Sequence, residues 1–390
     1  VRFVRFTRKL ADIIGVQPTP ENEEARQAAI EALRKRIMDA NSDCQDQDLR
    51  IIIKAQSDLW ADGVRAGAIL GDGPIAEASN GSDEDNETDG GEGESEDVDF
   101  PPGIFGQEPQ DYLASKWGRY VRAPDIYFDI MRRYGKRFVA LGEITSIRRG
   151  VTSGCDAFFM PKDVTADMLA KGKTDLIFRE HCGGAPRKDV VAGKLRIIEA
   201  GDGSVHPIEA KYVKPEVHSL MKVDRPIVRP ADLDRVILLV GEPLNTLKAK
   251  APWAWRYIRY GMTATFASSK SKPGPLPKRS TCAARDPWYD LTALVKPGIA
   301  FWPMAQQYRH IIAANPERLI CNHNLFDVAP AKLSEMEAKA LVAMLNSTLV
   351  GLFKTFYGRF AGTEGNLKTE VVHVNLLEVP DPRGVSASPT

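Results

Sequence analysis

Three patterns of apolar and polar positions succeed one another along the 390 residues. Val1-Arg2-Phe3-Val4-Arg5-Phe6 alternates with period two, which predicts a strand with one buried face. Residues 21–40 change to helical spacing. Glutamates crowd the start of that stretch, Arg34, Lys35 and Arg36 lie near its end, and Ile30, Leu33 and Ile37 form an apolar stripe. Leu49 to Ile53 is a second expected strand, followed by Ser57-Asp58-Leu59-Trp60. Two strands and one helix are too little for an independent core. Residues 1–70 therefore read as the tail of a larger sheet whose beginning is absent, and a chain opening on valine fits a fragment.

The pattern then stops. Residues 71–100 hold Gly, Ser, Asp, Glu and Asn with almost no large apolar side chain. Such a tract buries too little surface to offset its ordering entropy, and it reads as a disordered acidic linker. A solvated spacer is one role; a mimic of DNA competing for the basic region beyond it is the other.

Periodicity returns in 101–382. A helix is expected over 122–134, with Pro124 in the first turn, Arg132 and Arg133 at its end and Gly135 as its C-cap. Strands are expected at 138–149, 194–199, 235–240, 298–302 and 308–313. Ser334-x-x-Glu337 is a capping box that opens a long helix to residue 357, with Ala338, Leu341, Leu345, Leu349, Leu352 and Phe356 on one packing face. The Pro/Ser/Gly-rich tail, 383–390, is expected to fray. The fold class that follows is α+β: C-terminal strands left from an α/β sheet, a linker, then a mixed α/β domain with a long C-terminal helix.

Charge changes the picture. The formal net charge is zero, but residues 71–100 carry 12 acidic side chains and no Lys or Arg, while 101–390 carry 41 basic against 29 acidic. A basic surplus of that size suits a polyanionic partner and predicts salt-sensitive binding. The five cysteines, Cys44, Cys155, Cys182, Cys282 and Cys321, are scattered without a C-x-x-C pair, which fits a reducing cytosol. His181-Cys182 and Cys321-x-His323 resemble half-sites for a metal, but neither has a matching second pair. The start of the chain lacks a continuous apolar run, and the most apolar stretch, 338–353, is interrupted by Asn346, Ser347 and Thr348. A cytoplasmic location without a membrane partner is the expectation.

Three clusters could carry chemistry. In Leu141-Gly142-Glu143-Ile144-Thr145-Ser146-Ile147-Arg148-Arg149-Gly150-Val151-Thr152-Ser153-Gly154, a strand meets paired arginines and a Gly-x-x-x-Gly turn. Glycine lets a backbone come close to a phosphate or base edge, so Arg148, Arg149 and Thr152 are candidate contacts; a basic turn on a solvated surface is the plainer reading. Between Ser268 and Asp286 lie Lys270, Lys272, Lys278, Arg279 and Arg285, stiffened by Pro273, Pro275 and Pro277 and followed by Trp288-Tyr289. This is either a basic arm that tracks phosphates and stacks on a displaced base, or a surface loop whose Trp and Tyr plug the core. In Tyr357-Gly358-Arg359-Phe360-Ala361-Gly362-Thr363-Glu364-Gly365-Asn366-Leu367-Lys368, Arg359 suits a guanine edge and Asn366 an adenine edge, and Lys368 completes a third candidate loop. A Gly-rich helix-to-strand connection explains the same residues.

Together these segments resemble the C-terminal part of adenine-specific DNA methyltransferases with a fused target-recognition domain, and the related domains of Type I specificity subunits. The resemblance rests on the order of Val121-Arg122-Ala123-Pro124-Asp125-Ile126-Tyr127-Phe128, the LGEI…RRGVTSG run, Arg279-Ser280-Thr281-Cys282-Ala283-Ala284-Arg285 with Trp288-Tyr289-Asp290-Leu291, Leu345-Asn346-Ser347-Thr348-Leu349, Gly358-Arg359 and Leu377-Glu378-Val379-Pro380-Asp381-Pro382. Arg2-Phe3-Val4-Arg5 and Leu59-Trp60 are similar to the last strands of the methyltransferase domain in those proteins. The acidic tract is not part of that pattern.

The resemblance implies sequence-specific recognition of double-stranded DNA, in restriction–modification or phage defence. A methyltransferase catalytic domain, upstream or in trans, would supply S-adenosylmethionine chemistry. The chain itself has no Gly-rich cofactor loop and no [Asn/Asp/Ser]-Pro-Pro-[Tyr/Phe] loop. Its Asn-Pro is Asn315-Pro316 before Glu317-Arg318, and its Pro-Pro is Pro101-Pro102 after Phe100. No Walker loop, GxSxG, HExxH or PD-(D/E)xK core occurs. The expectation is a chain with no catalytic or cofactor site of its own. Two alternatives stay open: a stand-alone specificity subunit that recruits separate methyltransferase or nuclease subunits, and a scaffold whose basic surface docks its own acidic tract.

Overall fold

The computed structural model describes residues 1–70, 117–221, 223, 225–266, 274–307, 309–360 and 366–385. The acidic tract, Lys270, Lys272 and Pro273 of the basic cluster, residues 361–365 of the glycine cluster and the last five residues lie outside the described residues. The architecture is α+β, with several sheets and helices packed around them.

Arg2–Phe6 and Leu49–Ile53 form as expected and pair antiparallel, with Cys44–Gln45 on the other side of Leu49–Ile53. The helix Glu23–Asp39 also forms, yet it buries no residue completely. The anchoring comes from elsewhere. Leu49, Arg50, Ile51 and Ile52 are all buried, and the Arg50 guanidinium reaches Asp125 at 2.5 Å and the Ala123 carbonyl at 2.7 Å, with its centre 4.5 Å from the Phe128 ring centroid. From the helix Gln56–Leu70, Arg65 bonds Glu143 at 2.9 Å and Glu378 at 3.0 Å. Residues 1–70 are thus held against 117–144 and 378 by buried and half-buried cations.

A six-stranded sheet runs in the order Ile320–Cys321, Val213–Val217, Arg235–Leu238, Lys162–Asp163, Leu195–Glu199, Val205–Glu209. All its pairings are antiparallel except Ile320–Cys321 with Val213–Val217. The helix Pro252–Thr263 lies on it, and Phe158, Tyr257, Ile237 and Leu276 form its core. A four-stranded sheet, Ala313–Ala314, Ala300–Pro303, Leu325–Pro330, Thr145–Arg149, packs against the C-terminal helices around Trp302, Phe326, Leu341 and Phe353.

Several expected elements changed on folding. The stretch 138–149 is a strand Phe138–Ala140, a one-turn helix Leu141–Ile144 and a strand Thr145–Arg149. Gly142 sits so close to Ile69 and Asn375 that a Cβ would lie 2.6 Å from the isoleucine, so the chain turns here rather than running on. The expected long helix is two, Glu335–Leu345 and Thr348–Tyr357, bent by 70°. Asn346 donates to the carbonyls of Val342 and Ile312, and Ser347 accepts the Val350 N–H, so side chains replace the continuing backbone ladder. The capping box at Ser334 and Glu337 is present. The helix expected at 122–134 begins at Asp125, with Pro124 as N-cap and not in the first turn; Gly135 keeps a right-handed backbone. Of the described residues within 308–313, only Ala313 enters a strand. The strands Val205–Glu209 and Val213–Val217 were not anticipated, because Pro207 and Pro215 interrupt their pattern; each proline still holds register, opposite Ile197 and Val236.

Candidate nucleic-acid interface

Two of the three clusters meet. The loop after the strand Thr145–Arg149 crosses residues 321–325: Gly150 N–H donates to the Leu325 carbonyl and Val151 N–H to that of Cys321, both at 2.9 Å. A Cβ on Gly150 would sit 2.1 Å from the Asn322 carbonyl oxygen. The close approach this glycine permits is to the protein's own backbone. Gly154, at φ +85°, is equally committed, since a Cβ there would lie 3.0 Å from Cys282 Sγ and from Thr281 Cβ.

The basic cluster clasps that loop. Arg285 donates to the Ser153 carbonyl at 2.7 Å and, through Nε, to the Trp288 carbonyl at 3.1 Å, with its guanidinium 5.2 Å from the Phe159 ring centroid. Arg279 donates to the carbonyls of Gly154 at 3.1 Å and Phe266 at 3.2 Å. Burial depresses the basicity of Arg285. Both arginines act as struts between segments more than a hundred residues apart in sequence. Tyr289 is buried, its hydroxyl donating to the Glu242 carbonyl at 2.8 Å, and Trp288 lies among Phe158, Phe159 and Tyr289. The pair is the plug of the two readings.

The remaining candidates divide. Arg148 donates to the Lys296 carbonyl at 3.0 Å and stands opposite Asp327 across the sheet. Burial pushes the Asp327 carboxyl up to about 6, opposed by the Gly298 N–H, the Cys321 thiol and the Arg148 charge. Arg149 is exposed while its Nε bonds the His323 carbonyl at 3.2 Å; Thr152 and Lys278 are exposed. Those three lie on or beside the clasped loop and are the parts of it that face solvent. Arg359 is elsewhere, ion-paired to Glu370 at 2.9 Å. Asn366 and Lys368, half-buried, are on the strand Asn366–Lys368, where Lys368 pairs with Arg359 and Ala305.

Two features escaped the sequence reading. The first is a polar cluster under the loop. Ser153 Oγ donates to Asp156 at 2.6 Å, Asn322 Nδ2 lies 3.5 Å from Asp156 and 2.9 Å from His218 Nδ1, and His218 Nδ1 lies 3.5 Å from Glu216. Glu216 is buried, and desolvation pushes its carboxyl above the usual range. Nothing in the spacing of these residues announced the cluster. Among the described residues no group of three or more His, Cys, Asp or Glu side chains is placed to hold a metal ion, and Cys182, one proposed half-site residue, is packed among apolar side chains.

The second feature was legible. From Pro243 to Arg285 the chain has nine Lys and Arg residues and not one acid. Four of the nine lie on the helices Leu244–Lys250 and Pro252–Thr263: Lys248, Lys250, Arg256 and Arg259.

No family model matches the chain, and no curated protein does. Among solved structures, that of the type IIG restriction endonuclease BpuSI is similar at a TM-score of 0.41 and 13% identity, over 67% of this chain and 26% of that one. The chain spans about a quarter of that protein's length.

Proposed function

We propose that this chain recognises double-stranded DNA as the target-recognition region of an adenine-N6 methyltransferase of restriction–modification or phage-defence type. The observation that carries the reading is the junction of the RRGVTSG loop with the RSTCAAR segment. Two motifs of the target-recognition pattern, far apart in sequence, are locked together by Arg279 and Arg285, and Arg149, Thr152 and Lys278 are left facing solvent beside them. A rigid loop that presents a guanidinium, a hydroxyl and an ammonium can read a base edge and fix register on the phosphates. The basic surplus of 101–390 supplies the attraction.

The one Asn-Pro pair of this chain is not placed to hold a flipped adenine. Asn315, of the single Asn-Pro pair, is buried; its amide donates to the carbonyls of Gly298 and Leu319 and its oxygen accepts the Leu319 N–H at 2.8 Å. Its hydrogen-bonding groups are spent stapling a turn. We assign methyl transfer to a separate catalytic domain.

Selection from a library of randomised duplexes tests the reading. The chain is expected to enrich one short motif, and Arg149→Ala to weaken the enriched site by about 1–3 kcal/mol while changing random DNA less. Recovery of DNA with no enriched motif, by the chain alone and by the chain joined to its methyltransferase, would overturn sequence recognition.

A further inference from the structure

Some exposed cations of this protein sit beside carboxylates: Lys339 pairs with Glu335, Arg179 with Asp175 and Arg383 with Asp381. The cations of the helices Leu244–Lys250 and Pro252–Thr263 are placed differently. Arg256 and Arg259 are exposed, and among the described residues neither they, Lys248 nor Lys250 has a carboxylate within ion-pair distance. Their neighbours are indoles. The Arg256 guanidinium lies 4.7 Å from the Trp253 ring centroid, and Trp255 is flanked by Arg259 at 5.2 Å and Lys248 at 5.8 Å. Two acids that touch the second helix are already used. Glu209 accepts the N–H groups of Trp253 and Ala254 at the helix start, and Asp202 accepts the Tyr260 hydroxyl near its end.

An indole under a guanidinium restrains it without neutralising it. The charge stays available, and part of the rotamer entropy that a long side chain loses on binding has already been lost. Arg256 and Arg259, three apart on one helix, have Cβ atoms about 5–6 Å from each other, so both face one row of charge. The opposite side of the helix is anchored by Tyr257, Ile258 and Gly261 in the core, and the helix contacts the turn Leu276–Lys278 that carries the exposed Lys278. The surface is fixed in place, positive, unneutralised and continuous with the clasped loop.

We propose that this face, Lys248, Arg256 and Arg259 on their tryptophan supports with Lys250 two residues on from Lys248, is a sequence-independent grip for the phosphate backbone of duplex DNA, distinct from the loop that reads bases. The inference rests on the DNA reading above and adds a second contact to it. Phosphate complementarity selects the occupant: the face offers donors and positive charge in a row, with its aromatic rings covered by cations and not open for stacking on unpaired bases.

The test is fluorescence anisotropy of the full chain with a labelled random-sequence duplex from about 50 to 200 mM salt, using the wild type, the Arg256→Gln/Arg259→Gln pair and the Arg256→Lys/Arg259→Lys pair. The glutamine pair is expected to bind about tenfold more weakly or worse and to lower the log–log salt slope by about two. The lysine pair, which keeps the charge, is expected to retain most of the slope and guards against a folding defect being read as lost contact. Unchanged affinity and slope in the glutamine pair, with wild type binding DNA, would overturn the grip and leave the target-recognition reading standing. A wild type that binds no duplex at low salt, or that prefers single-stranded RNA, would overturn both.

Discussion

Arg285 and Arg256 are 29 positions apart, in the same acid-free stretch of sequence, and have opposite fates. Arg285 is half-buried and donates to two backbone carbonyls of distant or folded-back segments; Arg256 is exposed on an indole face. Arg279 and Arg285, which belong to the motif, hold segments of the molecule together, while Arg256 and Arg259, which belong to no motif, are exposed on one helix. A guanidinium has five donors, and what decides its role is whether carbonyls of its own chain reach them first. Counting positive charge along a sequence cannot separate the two kinds.

The largest effect expected from this contrast is on stability. Arg285→Ala removes charge-assisted bonds to the carbonyls of Ser153 and Trp288 and should cost about 3 kcal/mol, read as a lower urea midpoint. If stability is unchanged and DNA affinity falls, Arg285 is a contact and the comparison breaks.

A third cation sharpens it. Lys354 is buried beside Trp302, with its ammonium 5.2 Å from the ring centroid, and donates to Gln306. Burial alone pushes its pKa down to about 7. Below that pH the folded state carries the buried charge at full cost. As pH rises above 7, the folded lysine releases its proton while the unfolded one keeps it until near 10.5, so stability rises with pH through that window. Between pH 7 and 9 the gain from this residue is about 2 kcal/mol. Lys354→Met should lose that slope, so the difference in unfolding free energy between variant and wild type should drift by that amount. Parallel pH profiles would mean that the lysine stays charged inside. An indole supports a cation at the surface; in the interior it leaves the charge uncompensated.

Smaller effects are expected from two further changes of charge. Deleting residues 71–100 removes 12 acidic side chains and should strengthen duplex binding several-fold at low salt, since the tract competes for the same cations. No change on deletion would make the tract a spacer only. A small stability effect is expected of Arg256→Gln/Arg259→Gln, about 0.5–1 kcal/mol for each exposed indole contact given up, with no carboxylate left unpaired. A loss near that of Arg285→Ala would place these residues among the struts.

Much of the fold was legible. Alternation marked Arg2–Phe6, an apolar run marked Leu49–Ile53, and the capping box at Ser334 marked a helix start to the residue. What failed has local causes. Asn346 and Ser347 offered side-chain bonds that compete with a helix, and Pro207 and Pro215 hid two strands that nonetheless keep register. At the site, the motifs identified which segments come together but not what their residues do there. Gly150 looked like room for a ligand and is room for the Asn322 carbonyl. Trp288 and Tyr289 looked equally like a plug or an arm, and packing decided it. The basic helices were visible only as an absence of acids over Pro243 to Arg285, a signal carried by no single residue.

The measurement that bears most directly on the account is the salt dependence of duplex binding by the unaltered chain. If the surplus charge of 101–390 meets phosphates through Lys278 and the helix face, the logarithm of affinity should fall linearly with the logarithm of salt between about 50 and 200 mM, with a slope of about −4 or steeper. A slope near zero, or no binding at the lowest salt, would contradict it.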